Sequence, residues 1–207
     1  MPAKPGMKPN RVRKMAMKII GVTGGTGAGK SSLCDELKKC GATVIDCDRI
    51  SRNVTKNDGA AFDEIIEVFG EEMLAADGEL NRKALAAVVF NDEQKLELLN
   101  KITHKHIFAE MQKQLDECKT HVAVMDVPLL FNADFPFKCD LTVAVLATPE
   151  LRLERIMSRD GISETAALER MKNQMTDDEY KNLADVCFVN DGNPEKVREF
   201  AKELCRN

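Results

Sequence analysis

A glycine-rich stretch, Gly21-Val22-Thr23-Gly24-Gly25-Thr26-Gly27-Ala28-Gly29-Lys30-Ser31-Ser32, follows directly on the apolar run Lys18-Ile19-Ile20 and constrains this chain more than any other feature. From Gly24 it satisfies G-x-x-x-x-G-K-[ST], with Gly24, Gly29, Lys30 and Ser31 at the fixed positions and a strand, loop and helix in the required order. Five glycines between 21 and 29 let the backbone take positive φ and gather successive N–H groups into one concave nest, which holds an anion by several converging dipoles. A side chain in that space would block the phosphate. The run from Ser31 to Lys39 reads as a helix whose positive N-terminal end points into the same nest. Lys30 adds a full charge, and the Ser31 hydroxyl offers a ligand for Mg²⁺. A plain glycine-rich turn has no use for Lys-Ser after its last glycine. The loop is therefore read as a site for ATP phosphates formed by Gly25, Thr26, Gly27, Ala28, Gly29, Lys30, Ser31 and Ser32.

The rest of the chain supplies strands to go with it. Ala42 to Ile45, His121 to Met125, Leu141 to Ala147 and Val186 to Val189 are short apolar runs of the kind covered on both faces. They end at Asp46-Cys47-Asp48, Asp126, Thr148-Pro149-Glu150 and Asn190-Asp191-Gly192. Helical stretches alternate with them, which predicts an α/β fold with a five-stranded, mainly parallel sheet whose ligands lie beyond the carboxyl ends of the strands. Between the second and third runs, Ala60 to Cys118 shows helical spacing (Phe62, Ile65, Ile66, Phe69; then Leu96, Leu99, Ile102, Ile107, Met111) with no strand-like interruption. A parallel crossover needs only a dozen or so residues, so this longer stretch reads as an inserted helical unit. The predicted organisation is a P-loop core over 17–59, 119–150 and 181–207, a helical acceptor-binding insertion over 60–118 and a helical lid over 151–180. Residues 1–16, rich in Pro, Lys and Arg, read as a disordered basic tail.

Composition excludes several classes. No apolar stretch approaches the ~20 residues of a membrane helix, and the beginning of the chain lacks the apolar region of a secretory signal, so a cytoplasmic location is expected. The seven cysteines are odd in number and scattered, without C-x-x-C, and read as reduced thiols rather than a disulfide framework or zinc site. A net charge of −4 implies no nucleic-acid surface, and no membrane or obligatory protein partner is expected. Any polyanionic ligand must then be met by locally concentrated cations. Arg152, Arg155 and Arg159, spaced by three and four, form one stripe on a helix. Either a bound triphosphate or the acids Glu150, Glu154 and Asp160 would neutralise it. Asp126 reads either as a turn cap or, beside a P-loop, as the acidic residue that orients Mg²⁺ or its waters. Asn190-Asp191-Gly192 is a turn signal at a strand end, and His104 alone reads as a satisfied helix histidine. Two classes remain, a P-loop phosphotransferase and a GTP-driven switch. Asn100-Lys101 is not followed by the aspartate of a guanine signature, which leaves the kinase class ahead.

Several motifs then occur together and in order: Val44-Ile45-Asp46-Cys47-Asp48, Asn81-Arg82-Lys83-Ala84-Leu85 with Val89-Phe90, Ile102-Thr103-His104, Asp126-Val127-Pro128-Leu129-Leu130-Phe131, Arg159-Asp160-Gly161, Gln174-Met175, and Ala184-Asp185 leading to Asn190-Asp191-Gly192. With the P-loop, they make the chain from Met17 onward resemble the dephospho-CoA kinases. The resemblance implies transfer of the γ-phosphoryl group of ATP to the ribose 3′-hydroxyl of dephospho-CoA, with Mg²⁺ held by Ser31 and Asp126. It implies Asp48, Lys30 and Arg155 as catalytic residues, and Arg159 and Asn190 as further ATP contacts with the Asn190 region beside adenine. Thr23, Asp48, Arg82, Phe90, His104, Pro128 and Leu129 would surround the acceptor. Asp48 is taken to end the strand next to the P-loop strand. Asp46, two residues earlier on the same face if the extension continues, competes with it, and only the resemblance ranks Asp48 first. Three positions depart from the family pattern: Cys47 for alanine, Lys105 for proline and Asn132 for glutamate.

Overall fold

The computed structural model describes residues 17–132 and 134–206; the segment 1–16, read above as a disordered tail, lies outside the described residues. Five strands form a single sheet: β1 (Lys18–Thr23), β2 (Thr43–Asp46), β3 (Val122–Asp126), β4 (Leu141–Leu146) and β5 (Val186–Val189). All neighbours pair in parallel, in the order β2-β3-β1-β4-β5. The period of two along each strand divides the core. Ile20, Val22, Val122, Val124, Val143 and Val145 face α1 (Lys30–Lys39), which brings Leu33 and Leu37, and α9 (Pro194–Arg206), which brings Val197, Ala201 and Leu204. Ile45, Ala123 and Met125 turn to the opposite face.

That opposite face is covered by α2 (Cys47–Val54), α3 (Phe62–Phe69), α4 (Arg82–Val89) and α5 (Glu93–Glu117). Phe62, Ile65, Ile102 and Met111 share one cluster with Ile45, Ala123 and Met125, so the helices between β2 and β3 are packed onto the sheet. Polar caps start them: Asn81 accepts from the Ala84 N–H at 3.0 Å and Asp92 from the Lys95 N–H at 3.1 Å. One strand-like feature interrupts the stretch expected to be purely helical, a single antiparallel bridge between Leu74 and Leu80 around a tight turn. After β4 come α6 (Pro149–Asp160), α7 (Glu164–Lys172) and α8 (Asp177–Leu183).

Two expectations about the carboxyl-end residues need correcting. β2 adjoins β3 and not β1, so the strand next to the P-loop strand on that side is the one ending at Asp126. The extension also stops at Asp46, because its side chain accepts from the Arg49 N–H at 2.8 Å and opens α2. Asp48 therefore belongs to the first turn of a helix, and the two carboxylates do not share a strand face.

Candidate active site

The P-loop bridges β1 and α1, and its backbone polarity is sorted by direction. Among the described residues, the N–H groups of Gly27, Gly29, Lys30 and Ser31 find no acceptor in the protein, while the carbonyls behind them are all taken. Gly25 O accepts from Ala28 N at 3.1 Å and Gly29 O from Ser32 N at 3.1 Å. Thr26 O accepts from Arg152 Nε at 2.9 Å and Gly27 O from Arg155 at 3.1 Å. Ala28 O accepts from Arg155 at 3.2 Å and from Asn190 Nδ2 at 3.0 Å. Carbonyls clamped outward leave the N–H groups aimed inward, which is the form of an anion nest. Gly27 and Gly29 make it possible with φ of 76° and 94°. A Cβ on Gly29 would also lie 2.0 Å from Asn190 Nδ2.

The arginine stripe is answered mainly by a partner that spacing did not pose, the loop backbone, while of the three acids Asp160 pairs with Arg159. Arg152 is buried and spends its guanidinium on Thr26 O and on Gln174 Oε1, 2.9 Å away. Arg155 faces the loop carbonyls and reaches Asn190 Oδ1 at 3.4 Å. Arg159 pairs with Asp160 and touches Thr26 Oγ1 at 3.4 Å. The backbone oxygens of the P-loop supply most of the negative partner.

A cleft of about 1180 Å³ opens over this loop, lined by P-loop residues and by Asp46, Asp48, Asp126, Arg155, Arg159 and Asn190. Register brings the acids together, since Asp126 is paired with Val22 on one side and Asp46 on the other. Lys30 forms an ion pair with Asp126. Burial works against the Lys30 charge, but the Asp126 carboxylate outweighs it and holds the ammonium above the ordinary lysine range. Burial pushes the Asp48 carboxyl above the usual aspartate range; Lys30 opposes this, and Asp126 and Asp46 add to it.

A second pocket of about 190 Å³ adjoins the cleft, lined by Cys47, His104, Phe108, Leu129, Phe135 and their neighbours. Asp48 and Pro128 line both spaces. His104 and Phe108, one turn apart on α5, have ring centroids 5.2 Å apart, and Phe135 meets Phe108 edge-on. Burial, followed by the fields of Asp48, Asp126 and Asp46, pushes the Cys47 thiol up to about 11. It stays protonated at neutral pH and serves as a small apolar wall.

Not every residue singled out from sequence lies on these surfaces. Gly25, Thr26, Gly27, Gly29, Lys30, Ser31 and Ser32 line the cleft, but Ala28 is buried beneath it. Thr23 is fully buried, with its hydroxyl donating to Pro128 O at 3.0 Å, and so holds the pocket wall from below. Arg82 donates to Thr55 Oγ1 at 2.7 Å, tying α4 to α2, and lines neither space. Phe90 is 79% exposed and likewise outside both. Of the departures, Lys105 turns to Glu64 at 3.0 Å, whereas Asn132 lines the second pocket. Sequence reading passed over Phe108 and Phe135. The spacing of Phe108 four residues after His104 was a usable signal; nothing local marks Phe135.

A parallel sheet carrying a glycine-rich nest of inward N–H groups at its central strand, with a lysine and clustered carboxylates at the strand ends, defines a P-loop kinase fold. The sequence profile of the Dephospho-CoA kinase family matches residues 18–196. The Dephospho-CoA kinase of Carboxydothermus hydrogenoformans is 37% identical over 188 residues, covering 89% of this chain and 91% of its own length. That of Oryza sativa subsp. japonica is 35% identical over 196 residues, covering 92% of this chain and 84% of its own. Among solved structures, a Thermus thermophilus protein superimposes with a TM-score of 0.81 at 29% identity, over 91% of this chain and 96% of that one. The Dephospho-CoA kinase from Campylobacter jejuni, 24% identical, shares the fold with a TM-score of 0.58 over 92% of this chain and 96% of its own. The chain belongs to the dephospho-CoA kinase family.

Proposed function

We propose that the chain phosphorylates the ribose 3′-hydroxyl of dephospho-CoA with ATP, giving coenzyme A, and does so at the junction of the two spaces. The observation that carries the reading is the position of Asp48, which faces the nucleotide cleft on one side and the apolar, aromatic pocket on the other. A phosphotransferase needs such a carboxylate where acceptor hydroxyl and γ-phosphate meet. Asp48 orients the hydroxyl and takes its proton as the new P–O bond forms, while the bond between the γ-phosphorus and the β–γ bridging oxygen breaks and ADP leaves. Because the transition state of phosphoryl transfer is loose, alignment by Asp48 contributes at least as much as basicity. The unpartnered N–H groups of Gly27, Gly29, Lys30 and Ser31 hold the phosphates. Lys30 exchanges Asp126 for phosphate oxygens, and Arg155 and Arg159 approach the same charge from the lid side.

The cleft also suits Mg²⁺, which takes one or two carboxylates together with substrate phosphates. The Ser31 hydroxyl and the Asp126 carboxylate are hard oxygen donors on its wall. Among the described residues no cluster of three or more His, Cys, Asp or Glu forms a closed cage, and a metal carried in on a nucleotide needs none. Bound there, the ion neutralises charge on the phosphates. Residues 60–118 act as the acceptor-binding unit and 151–180 as the lid. Among the described residues no helix is long and apolar enough to cross a membrane, in keeping with a cytoplasmic enzyme acting on small molecules.

A coupled assay of ATP consumption tests the reading, with dephospho-CoA compared against adenosine, AMP and CMP. Dephospho-CoA should be turned over with a kcat/KM orders of magnitude above the rest. Equal or better use of CMP or AMP would assign the pocket to another nucleotide.

A further inference from the structure

Thr26 is the one P-loop residue whose every polar atom is held by the segment from Arg152 to Gln174. Its N–H donates to Gln174 Oε1 at 2.8 Å, its carbonyl accepts from Arg152 Nε at 2.9 Å, and its hydroxyl accepts from Arg159 at 3.4 Å. Gln174 Oε1 also accepts from the Arg152 guanidinium at 2.9 Å, so one amide oxygen joins the loop to the buried arginine. The fit is close. A Cβ on Gly25 would lie 2.5 Å from the Arg152 guanidinium and 3.1 Å from Gln174 Oε1. Thr26 was expected to give its N–H to a phosphate, yet that N–H points to Gln174, which lies on the cleft wall just after α7.

From this geometry we infer that Gln174 is a positioning residue of the nucleotide site: by fixing the Thr26 peptide it keeps the N–H groups of Gly27, Gly29, Lys30 and Ser31 aimed into the cleft before nucleotide arrives. The inference rests on the reading that this nest takes ATP phosphates. The physical need is plain. A loop built on glycines has the largest conformational entropy to lose, and N–H groups without protein partners do nothing to hold it open. Anchoring its carbonyls and the Thr26 N–H from outside removes that cost from the binding step, as preorganisation requires. Both bonds at Gln174 use its oxygen as acceptor. An amide supplies that oxygen without charge, whereas a carboxylate would set a negative charge in a cleft built for phosphates.

A merely structural tie would leave ATP kinetics alone, so the test reads amide exchange at Thr26 together with ATP kinetics. In nucleotide-free protein, hydrogen exchange at the Thr26 amide is followed by NMR for the unaltered chain, Gln174→Met and Gln174→Glu. Gln174→Met removes the acceptor at similar length. It should expose Thr26 to exchange and lower kcat/KM for ATP about tenfold, the scale of one hydrogen bond, with the KM for dephospho-CoA unchanged. Gln174→Glu keeps the oxygen and should keep Thr26 protected. Unchanged protection in Gln174→Met would overturn the inference, and so would lost protection with an unchanged kcat/KM for ATP. Because exchange at Thr26 is read without substrate, its outcome does not depend on whether dephospho-CoA is the acceptor.

Discussion

Lys30 and Asp48 carry the chemistry proposed here, Asp46 competes with Asp48, and each of the three makes a separate prediction. Lys30→Ala removes a charge acting on the transferring group in a shielded site, where such a donor is worth about 3–4 kcal/mol; turnover should fall about 10²–10³-fold with the circular dichroism spectrum retained. Equal activity in that folded variant would refute the nucleotide assignment. Asp48→Asn keeps shape and one oxygen but loses the base, and should cost about 10²–10⁴ in kcat with ATP binding nearly intact. Asp46→Asn should do little, since asparagine caps a helix as well as aspartate, while Asp46→Ala should cost about 0.5–2 kcal/mol of stability through the cap to α2. A large loss of turnover in Asp46→Asn with a near-normal Asp48→Asn would reverse the two roles. The pH dependence follows from the Asp48 shift. Its folded pKa is raised, so the acid limb of kcat/KM should lie above the ordinary aspartate range and be lost in Asp48→Asn. For stability the sign is opposite to that of a salt-bridged acid. The folded state holds the Asp48 proton more tightly than the unfolded chain, so its contribution favours low pH and is lost as pH rises through the folded pKa. Asp48→Asn should therefore melt higher than the unaltered protein at neutral pH, with the gap closing as pH falls below the ordinary aspartate range.

At the scale of elements, the segment from α6 to α8 is fastened unevenly. Arg152 and Arg155 on α6 are already docked on loop carbonyls, and Gln174 returns to the same loop after α7. Between them, α7 buries only Ala167, and Arg159 stays exposed at the end of α6. Few buried contacts mean a low cost of local movement. Closure over ATP should thus concentrate in residues 159–172, with the base of α6 staying in place. Hydrogen exchange with and without both substrates measures this: slowing should be strongest over 159–172, and a lid that shows no change anywhere in 151–180 is no lid. α1 was the most legible element, because Gly29 and Lys30 fix its start and Leu33 and Leu37 its buried face. α2 was the least legible, since Asp46 reads equally as a strand end or a helix cap until the Arg49 N–H is placed beside it.

Across the whole molecule, the two spaces exist because the sheet brings distant strand ends together. With β3 between β1 and β2, Asp126 comes between the P-loop and Asp46, and the segment after it supplies Pro128 to both spaces. If the nest is preformed, nucleotide should bind the folded chain without acceptor and stabilise it as a unit. At one hundred times its dissociation constant, a ligand adds about 2.7 kcal/mol, which for a domain of this size is a rise in Tm of roughly 5–10 °C. Thermal unfolding with ATP and Mg²⁺ should show that rise in the unaltered protein and in Asp48→Asn, and lose most of it in Lys30→Ala.

The sequence by itself determined the parallel α/β class, the five strands, the P-loop and the family, because these depend on short-range features: period, glycine spacing and the order of motifs. Its motifs also named Asp48, His104, Pro128 and Leu129, which come together around the second pocket. Only the tertiary structure decided the strand order, the turn of Asp46 into a cap and the attachment of Arg152 and Arg155 to P-loop carbonyls. It also decided that Thr23 lies beneath the pocket and that Arg82 and Phe90 lie outside both spaces. The physical reason is common to all of these. A side chain's periodicity says which face it takes, but its partner is set by whichever distant backbone groups are left unsatisfied when the layers pack, and those are fixed only once Arg152, Gln174 and Asn190 arrive at the loop.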